Sequence, residues 1–275
     1  MSTEPMSVVR SSPNPLLQAT DVSVRFGGVQ ALSNVSIEIN SREVVGLIGP
    51  NGAGKSTLLN VLTGYVAPTD GTVMYGLRNI TRTSAHRRAQ LGISRTFQHP
   101  ETFDSLTVRE HFLLAHRARH NPRRLWTEAL TLGIGSRRSN AEARAIGQLL
   151  ERLELEAVSD EVPVHLPLGT QRVVDIGRAL AYDPEVLLMD EPGSGLDLSA
   201  RRDIEQIIRE IPGERGRAVV IVEHDVDLIL SLCDRVYVLH FGHPLAAGTP
   251  DEIRSNLEVQ NAYLGQSTAT RQEAP

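Results

Sequence analysis

A glycine-rich segment, GPNGAGKST at residues 49–57, combines residue types and spacing that suit one kind of chemistry. It follows the pattern G-x-x-x-x-G-K-[ST] between an apolar segment and a segment with helical spacing. Glycines let successive N–H groups turn toward a phosphate, and the dipole of the following helix adds to the attraction. Lys55 could place its positive charge against the β- and γ-phosphates of a nucleotide, and the Ser56 hydroxyl could bind Mg²⁺. The predicted nucleotide-binding residues here are Gly49, Pro50, Asn51, Gly52, Ala53, Gly54, Lys55, Ser56 and Thr57.

Two carboxylates follow an apolar segment in VLLMDEP, residues 186–192. Asp190 could hold Mg²⁺ through its water shell, and Glu191 could act as the general base that polarises an attacking water. A strand that ends in an acidic turn with no catalytic role would have the same sequence pattern. The phosphate-binding segment upstream favours the catalytic interpretation.

His224 ends another apolar segment, AVVIVEH. A single histidine is more often a surface or packed residue than a catalytic one. The ends of parallel strands meet at one edge of an open sheet, which is where such sheets bind ligands. We therefore expect His224 to come within reach of a γ-phosphate.

Apolar strand patterns alternate with helical patterns along most of the chain, which indicates an α/β fold with a mainly parallel sheet covered on both faces. Residues 16–26 and 35–39 predict strands of a separate meander, and 107–119 and 140–154 predict helices. The remaining predicted strands are 43–49, 71–76, 186–190, 218–224, 235–239 and 244–248. The remaining predicted helices are 54–64, 199–211 and 225–233, followed by two short helices at the C-terminal end.

The composition is that of an ordinary globular protein of 275 residues, with a formal net charge of −5. Acidic charge and an aromatic content of 4% argue against nucleic acid as a partner. A single cysteine, Cys233, excludes an internal disulfide. No apolar run approaches the ~20 residues of a membrane helix, so we expect any work at a membrane to depend on partner proteins.

Together these motifs, in this order, resemble the ATP-binding subunit of an ABC transporter. The resemblance covers residues 16–265 and implies a P-loop NTPase with a RecA-like core, an N-terminal antiparallel β subdomain and an inserted helical subdomain. It implies that Phe26 stacks on adenine and that Gln98, in RTFQ, senses Mg²⁺ and the γ-phosphate. It also implies that Asp197, in SGLD, lies near a dimer seam and that His224 is the switch histidine.

The segment LPLGTQ, residues 166–171, stands where this family has its signature L-S-G-G-Q, which closes over ATP bound by a second subunit. Pro167 replaces the serine and lacks both its hydroxyl and an N–H group. Leu168 and Thr170 also depart from the motif, with Gln171 one place later. Gly169 and the helix N-terminus remain, so we expect a weakened or adapted phosphate site; a loop that only packs is the alternative.

Two segments resemble the branched-chain amino-acid importer branch of this family: RTFQHPETFDSLTVREH and the ending GTPDEIR…NAYLGQ. That branch also includes urea and amide importers, and an ATPase of lipopolysaccharide export is a relative. The resemblance implies ATP and Mg²⁺ as cofactors, and transmembrane permease subunits and a second ATPase subunit, identical or paralogous, as partners. A periplasmic or extracellular solute-binding protein would act indirectly, and the location would be the cytoplasmic face of the membrane. A soluble ABC ATPase with no transporter, or a binding module without catalysis, remains as an alternative.

The expected organisation is one ABC ATPase domain between two disordered tails. Its core is interrupted by the helical subdomain. The predicted boundaries are 1–15 and 266–275 for the tails, 16–265 for the domain, 16–98 and 162–265 for the core, and 99–161 for the helical subdomain.

Overall fold

The larger sheet has six strands in the order β10-β9-β3-β8-β7-β6. The structure is a computed structural model that describes residues 14–96, 105–120 and 140–269. All pairs in this sheet are parallel except β9 with β10. The strands are β3 (Val44–Ile48), β6 (Ile93–Arg95), β7 (Val186–Asp190), β8 (Ala218–Val222), β9 (Arg235–His240) and β10 (His243–Gly248).

A second, antiparallel sheet has the order β2-β1-β4-β5. Its long strands, β1 and β2, are joined by a turn at Gly27 and Gly28. Alternating buried and exposed residues in β2 show that one face packs on the core. The strands are β1 (Leu17–Phe26), β2 (Val29–Ile39), β4 (Asp70–Tyr75) and β5 (Arg78–Asn79).

Nine α-helices lie in the described residues, with three short 3-10 turns at Glu156–Val158, Pro163–His165 and Ile211–Gly213. None of these helices is long and apolar enough to cross a membrane. The helices are α1 (Lys55–Thr63), α2 (Ala85–Leu91), α3 (Val108–His120), α4 (Asn140–Arg152), α5 (Leu168–Ala181), α6 (Leu198–Glu210), α7 (Val226–Leu232), α8 (Pro250–Ser255) and α9 (Leu257–Ala269).

The C-terminal boundary differs from the prediction. Helix α9 continues to Ala269, four residues beyond the predicted end of the ordered domain at 265. The predicted tail rested on the usual disorder of chain ends, but one glycine inside a helix costs only about 1 kcal/mol, so a helix can continue past Gly265. Residues 1–13 and 270–275 of the predicted tails lie outside the described residues. The division into core and helical subdomain remains a prediction.

The larger sheet separates two hydrophobic cores because its strand residues alternate between faces. In β7, Leu187 and Met189 join the core that includes residues of α3 to α7, whereas Val186 and Leu188 join the core that includes α1 and the antiparallel sheet. Every residue of β7 is buried. Burial on both faces therefore explains the unbroken apolar runs in the sequence.

Arg88 in α2 is a buried cation beneath the end of α1, only 1% exposed. Its guanidinium donates five hydrogen bonds, of 2.7 to 3.1 Å, all to backbone carbonyls. Two of these acceptors, Val61 and Leu62, lie in the last turn of α1, where carbonyls lack helical partners and the dipole favours a cation. Burial lowers the pKa of Arg88 to about 10, which leaves it charged at neutral pH.

We predict that Arg88→Met lowers the free energy of unfolding by about 3 kcal/mol or more, because buried carbonyls lose their donors. Arg87→Met, at the exposed neighbouring position, should change it by less than about 0.5 kcal/mol. Urea denaturation of both variants measures the difference. A loss below about 1 kcal/mol in Arg88→Met would show that water replaces the guanidinium.

Candidate nucleotide-binding and catalytic site

The predicted phosphate-binding segment, residues 49–57, joins β3 to α1 and needs glycine at two positions. Gly49 has φ 153°, and a side chain there would collide with the carbonyl of Leu239. Gly54 has φ 100°, and a Cβ atom would lie 2.8 Å from the carbonyl oxygen of Ala31. Both strands that crowd the glycines, β2 and β9, belong to the folded core. The packing of these strands therefore restricts the conformation of the loop.

Lys55 is buried beneath this loop, with 6% of its surface exposed. Its Nζ donates to the carbonyl oxygens of Gly49, at 2.6 Å, and Pro50, at 3.0 Å. Burial lowers the pKa of Lys55, and the negative charges of Glu191 and Asp190 oppose that shift. The structure thus brings the loop, the lysine and the two carboxylates together in one cluster.

Asp190 ends β7, and Arg95 ends the neighbouring parallel strand β6. The Arg95 guanidinium donates to Asp190 Oδ2 at 2.7 Å and to Asn60 Oδ1 in α1 at 2.5 Å. Sequence reasoning missed Arg95 as part of the site. The rule that placed Asp190 and His224 at one sheet edge also applies to the end of β6, and it could have found this arginine.

Glu191 and His224 form the closest pair of potential acid and base groups at this edge. His224 Nε2 and Glu191 Oε1 are 2.7 Å apart. Glu191 has φ 51°, and its N–H still donates to Val222 at 2.9 Å. The left-handed conformation, which costs roughly 1 kcal/mol or more, turns the chain sharply after the strand. The geometry allows His224 to orient Glu191.

The other predicted ligands are placed as follows. Phe26, at the end of β1, is 51% exposed, which leaves its ring available for stacking. Ser56 and Thr57 lie in the first turn of α1, with Ser56 exposed. Gln98 lies outside the described residues. The role of each predicted site residue remains a proposal.

Gly169 lies inside α5 rather than in a loop before it, since the helix begins at Leu168 with Pro167 as its N-cap. A Cβ atom on Gly169 would come within 2.6 Å of the Ala200 Cβ in α6. The structure therefore explains this glycine by the close approach of two helices. Its amide remains in the first helical turn, where N–H groups have no helical acceptor.

Pro167 and Gly169 line a cleft of about 700 Å³ between the N-terminus of α5 and residues 195–200. The Nε2 group of Gln171 donates to the carbonyl of Leu166 at 2.8 Å, so this amide has a partner within its own chain. Asp197 caps α6 by accepting from the amides of Ser199 and Ala200. The cleft thus joins the predicted signature and the SGLD segment in one surface.

The model of the family described as ABC transporter matches residues 32–194, more than half of the chain. The chain belongs to the ABC transporter ATP-binding family. A second model, described as branched-chain amino acid ATP-binding cassette transporter, matches residues 243–268.

Among curated relatives, this ABC subunit is 38% identical to the high-affinity branched-chain amino acid transport ATP-binding protein LivG of Salmonella typhimurium, over 92% of this chain and 99% of LivG. It is 35% identical to the corresponding BraF protein of Pseudomonas aeruginosa, with the same coverage. A crystal structure of the ADP conformation of an ABC transporter cassette is 31% identical, with a TM-score of 0.80 over 92% of this chain and all of that one.

These matches confirm the predicted family, the P-loop fold class and the assignment as an ATP-hydrolysing subunit. Binding of adenine nucleotide is a property of the family. Residues 167–171 thus depart from the family's signature sequence, whereas residues 49–57 and 190–191 match the family's sequence pattern.

We predict that Gly169→Ala destabilises the ABC subunit by about 1–3 kcal/mol, because the added methyl group overlaps Ala200. Gly147→Ala is the matched control, since Gly147 lies in α4 and an added Cβ atom there would meet nothing within 4 Å. That substitution should stabilise by up to about 1 kcal/mol. Thermal unfolding measures both changes.

The double variant Gly169→Ala, Ala200→Gly should lose less stability than the sum of the two single variants, because it removes the overlap, although Ala200→Gly in α6 itself costs about 1 kcal/mol. Additive losses in the double variant would contradict steric overlap as the cause.

Proposed function

We propose that this ABC subunit binds and hydrolyses ATP to drive import of branched-chain amino acids. The observation that carries the catalytic part is the 2.7 Å contact between His224 and Glu191, beside buried Lys55 and the end of β7. The match of residues 243–268 to the branched-chain amino acid model supports the substrate class.

In this proposal, the loop amides and Lys55 bind the phosphates, and Phe26 stacks on adenine. Lys55 is already inside the loop, so its charge needs only a change of partner from carbonyl oxygens to phosphate oxygens. Glu191 takes the proton from the attacking water, and His224 holds the Glu191 carboxylate in position. The Gly169 amide, at the start of α5, faces the ATP of a second subunit.

Mg²⁺ fits the residues that are present. A serine hydroxyl and a carboxylate are the hard oxygen ligands that this ion accepts, and most of its remaining ligands are water and phosphate. We assign the protein ligands to Ser56, Gln98 and Asp190. The 2.7 Å ion pair with Arg95 keeps Asp190 in place and balances its charge before nucleotide arrives. Bound Mg²⁺ would neutralise developing charge on the phosphates.

The proposed partners are two transmembrane permease subunits and a second ATPase subunit, identical or paralogous. A solute-binding protein outside the membrane would deliver the amino acid to the permeases, and this subunit would act at the cytoplasmic face. The formal net charge of −5 gives no support for a nucleic-acid partner.

Lipopolysaccharide export is the second candidate. The chain is 35% identical over 250 residues to the lipopolysaccharide export ATP-binding protein LptB of Acidithiobacillus ferridurans. The LivG relatives reach 38% over 263 residues, and the C-terminal model also names branched-chain amino acids. These two observations favour the importer.

We predict that Lys55→Ala weakens ATP binding about 10- to 100-fold, because it removes a charged donor to the phosphates.

Glu191→Gln should keep ATP affinity and lower kcat by about 10²- to 10⁴-fold, because the amide cannot accept the proton. Equilibrium binding and steady-state ATPase assays separate the two effects. Arg78→Ala, an exposed control in the antiparallel sheet, should change neither.

Unchanged ATP affinity in Lys55→Ala would contradict the assignment of Lys55 to the phosphates, and normal turnover in Glu191→Gln would contradict the assignment of Glu191 as the base.

To test the proposed partners, the full chain should be purified from detergent-solubilised native membranes and the proteins that copurify identified by mass spectrometry. Two multi-span permeases are the expected result, and recovery without any membrane protein would overturn the transporter proposal. Loss of leucine, isoleucine and valine uptake on deletion of the chain would support the substrate class.

A further inference from the structure

Glu223 is a buried carboxylate between β8 and His224, and no step of the proposed hydrolysis uses it. Only 6% of its surface is exposed. Its Oε1 accepts from the Gly193 amide at 2.8 Å, and its Oε2 is 3.3 Å from the His224 amide. One side chain therefore connects the loop that follows Glu191 with the loop that carries His224.

A buried carboxylate is costly unless its charge is compensated. Burial raises the pKa of Glu223, and the amides of Gly193 and His224 and the charge of Arg201 oppose the shift, while Glu191 adds to it. An apolar side chain would avoid this cost but would leave the Gly193 amide without its acceptor. The hydrogen bonds of the carboxylate to two loops offset the cost of burying it.

Arg201 in α6 forms a second connection between the same two loops. Its Nη2 donates to Asp225 Oδ2 at 2.6 Å. Asp225 follows His224 and caps α7 by accepting from Leu228 at 3.0 Å. Helix α6 itself has Asp197, the last residue of the SGLD segment, as its N-cap. A displacement of residues 193–197 would therefore act on both sides of His224.

Gly193 lies close to both Glu223 and Arg201. A Cβ atom there would lie 3.2 Å from Glu223 Oε1 and 3.8 Å from the side chain of Arg201. Glu205, one turn later in α6, lies 3.6 Å from Nε of Arg201 and forms an ion pair with it. The loop, the carboxylate and the arginine thus form one packed unit rather than separate contacts.

We propose that Glu223 is a positioning residue that couples the 193–197 loop to His224, with the Arg201–Asp225 pair as its brace. This inference rests on the proposed function, in which Glu191 and His224 carry out hydrolysis and the 193–197 loop meets a second subunit. Arrival of that subunit would then be transmitted through Gly193 and Glu223 to the His224–Glu191 contact. Nucleotide binding at the phosphate loop does not depend on this connection.

The first test compares Glu223→Ala with Glu223→Gln in the full-length protein, assayed for ATP hydrolysis and ATP binding. Glu223→Ala should lower kcat about tenfold or more with little change in KM or ATP affinity, because it misplaces His224. Glu223→Gln keeps an oxygen that can accept from Gly193, so it should retain most of the wild-type kcat.

Glu43→Ala is the matched control for loss of a hydrogen-bonded carboxylate. Glu43 lies just before β3, at the opposite edge of the sheet, and accepts from Asn40 and Arg235 at 2.8 Å. The effect of this variant should be confined to stability, so its kcat should match the wild type at temperatures where it is folded. A fall in kcat equal to that of Glu223→Ala would show a general structural effect and overturn the proposal.

The second test is a double-mutant cycle with His224→Ala. If Glu223 acts through His224, Glu223→Ala should cause no further loss of kcat once the histidine is gone. A multiplicative loss would contradict the coupling while leaving the role of His224 intact. Full activity in His224→Ala alone would instead refute the proposed catalytic role, so the failures of the two proposals are distinguishable.

Discussion

The parallel pairing of β7 with β8 is the constraint on which the site depends. Asp190 lies opposite Val222 in this pairing, and the hydrogen bond from Glu191 to Val222 continues it for one more residue. Both chains then leave the sheet at the same edge, so Glu191 and His224 meet although 33 residues separate them. A slip of one residue would turn the side chains of one strand to the opposite face and destroy the arrangement. Two hydrophobic cores, one on each face, prevent that slip.

Charges at this edge are held by fixed partners before any nucleotide is present. Lys55 donates to loop carbonyls, Asp190 pairs with Arg95, and Glu223 accepts from backbone amides. Each charge would be costly to bury alone, so these partners are a condition of folding as well as of function. Since the donors and acceptors already point into the site, ligand binding can proceed by exchange of partners. Such preorganisation is what electrostatic catalysis requires.

Local pattern was sufficient to propose the candidate residues that lie within one short segment. Residues 49–57, Asp190 and Glu191 form a motif by sequence alone, and His224 followed from the rule for strand ends. Arg95 and Glu223 were missed because their partners lie 95 and 30 residues away and only the tertiary structure brings them together. Arg88 was missed for a related reason, since its acceptors are carbonyls that no sequence pattern marks. Gly169 was identified, but its contact with Ala200 depends on the spacing of two helices that sequence does not reveal.

The contact between α5 and α6 also suggests how residues 166–171 could act on the site although they depart from the family's signature. Pro167 offers neither a hydroxyl nor an N–H group, so the surface it caps contributes fewer hydrogen bonds to a phosphate than a serine would. The same surface is connected to the proposed catalytic edge, because Gly169 packs against Ala200 and the next residue of α6, Arg201, donates to Asp225 beside His224. A second subunit that presses on the start of α5 would therefore also press on α6 and, through Arg201, on the histidine loop. The packing of α5 against α6 therefore links this surface to the His224 loop independently of any hydrogen bond from residue 167.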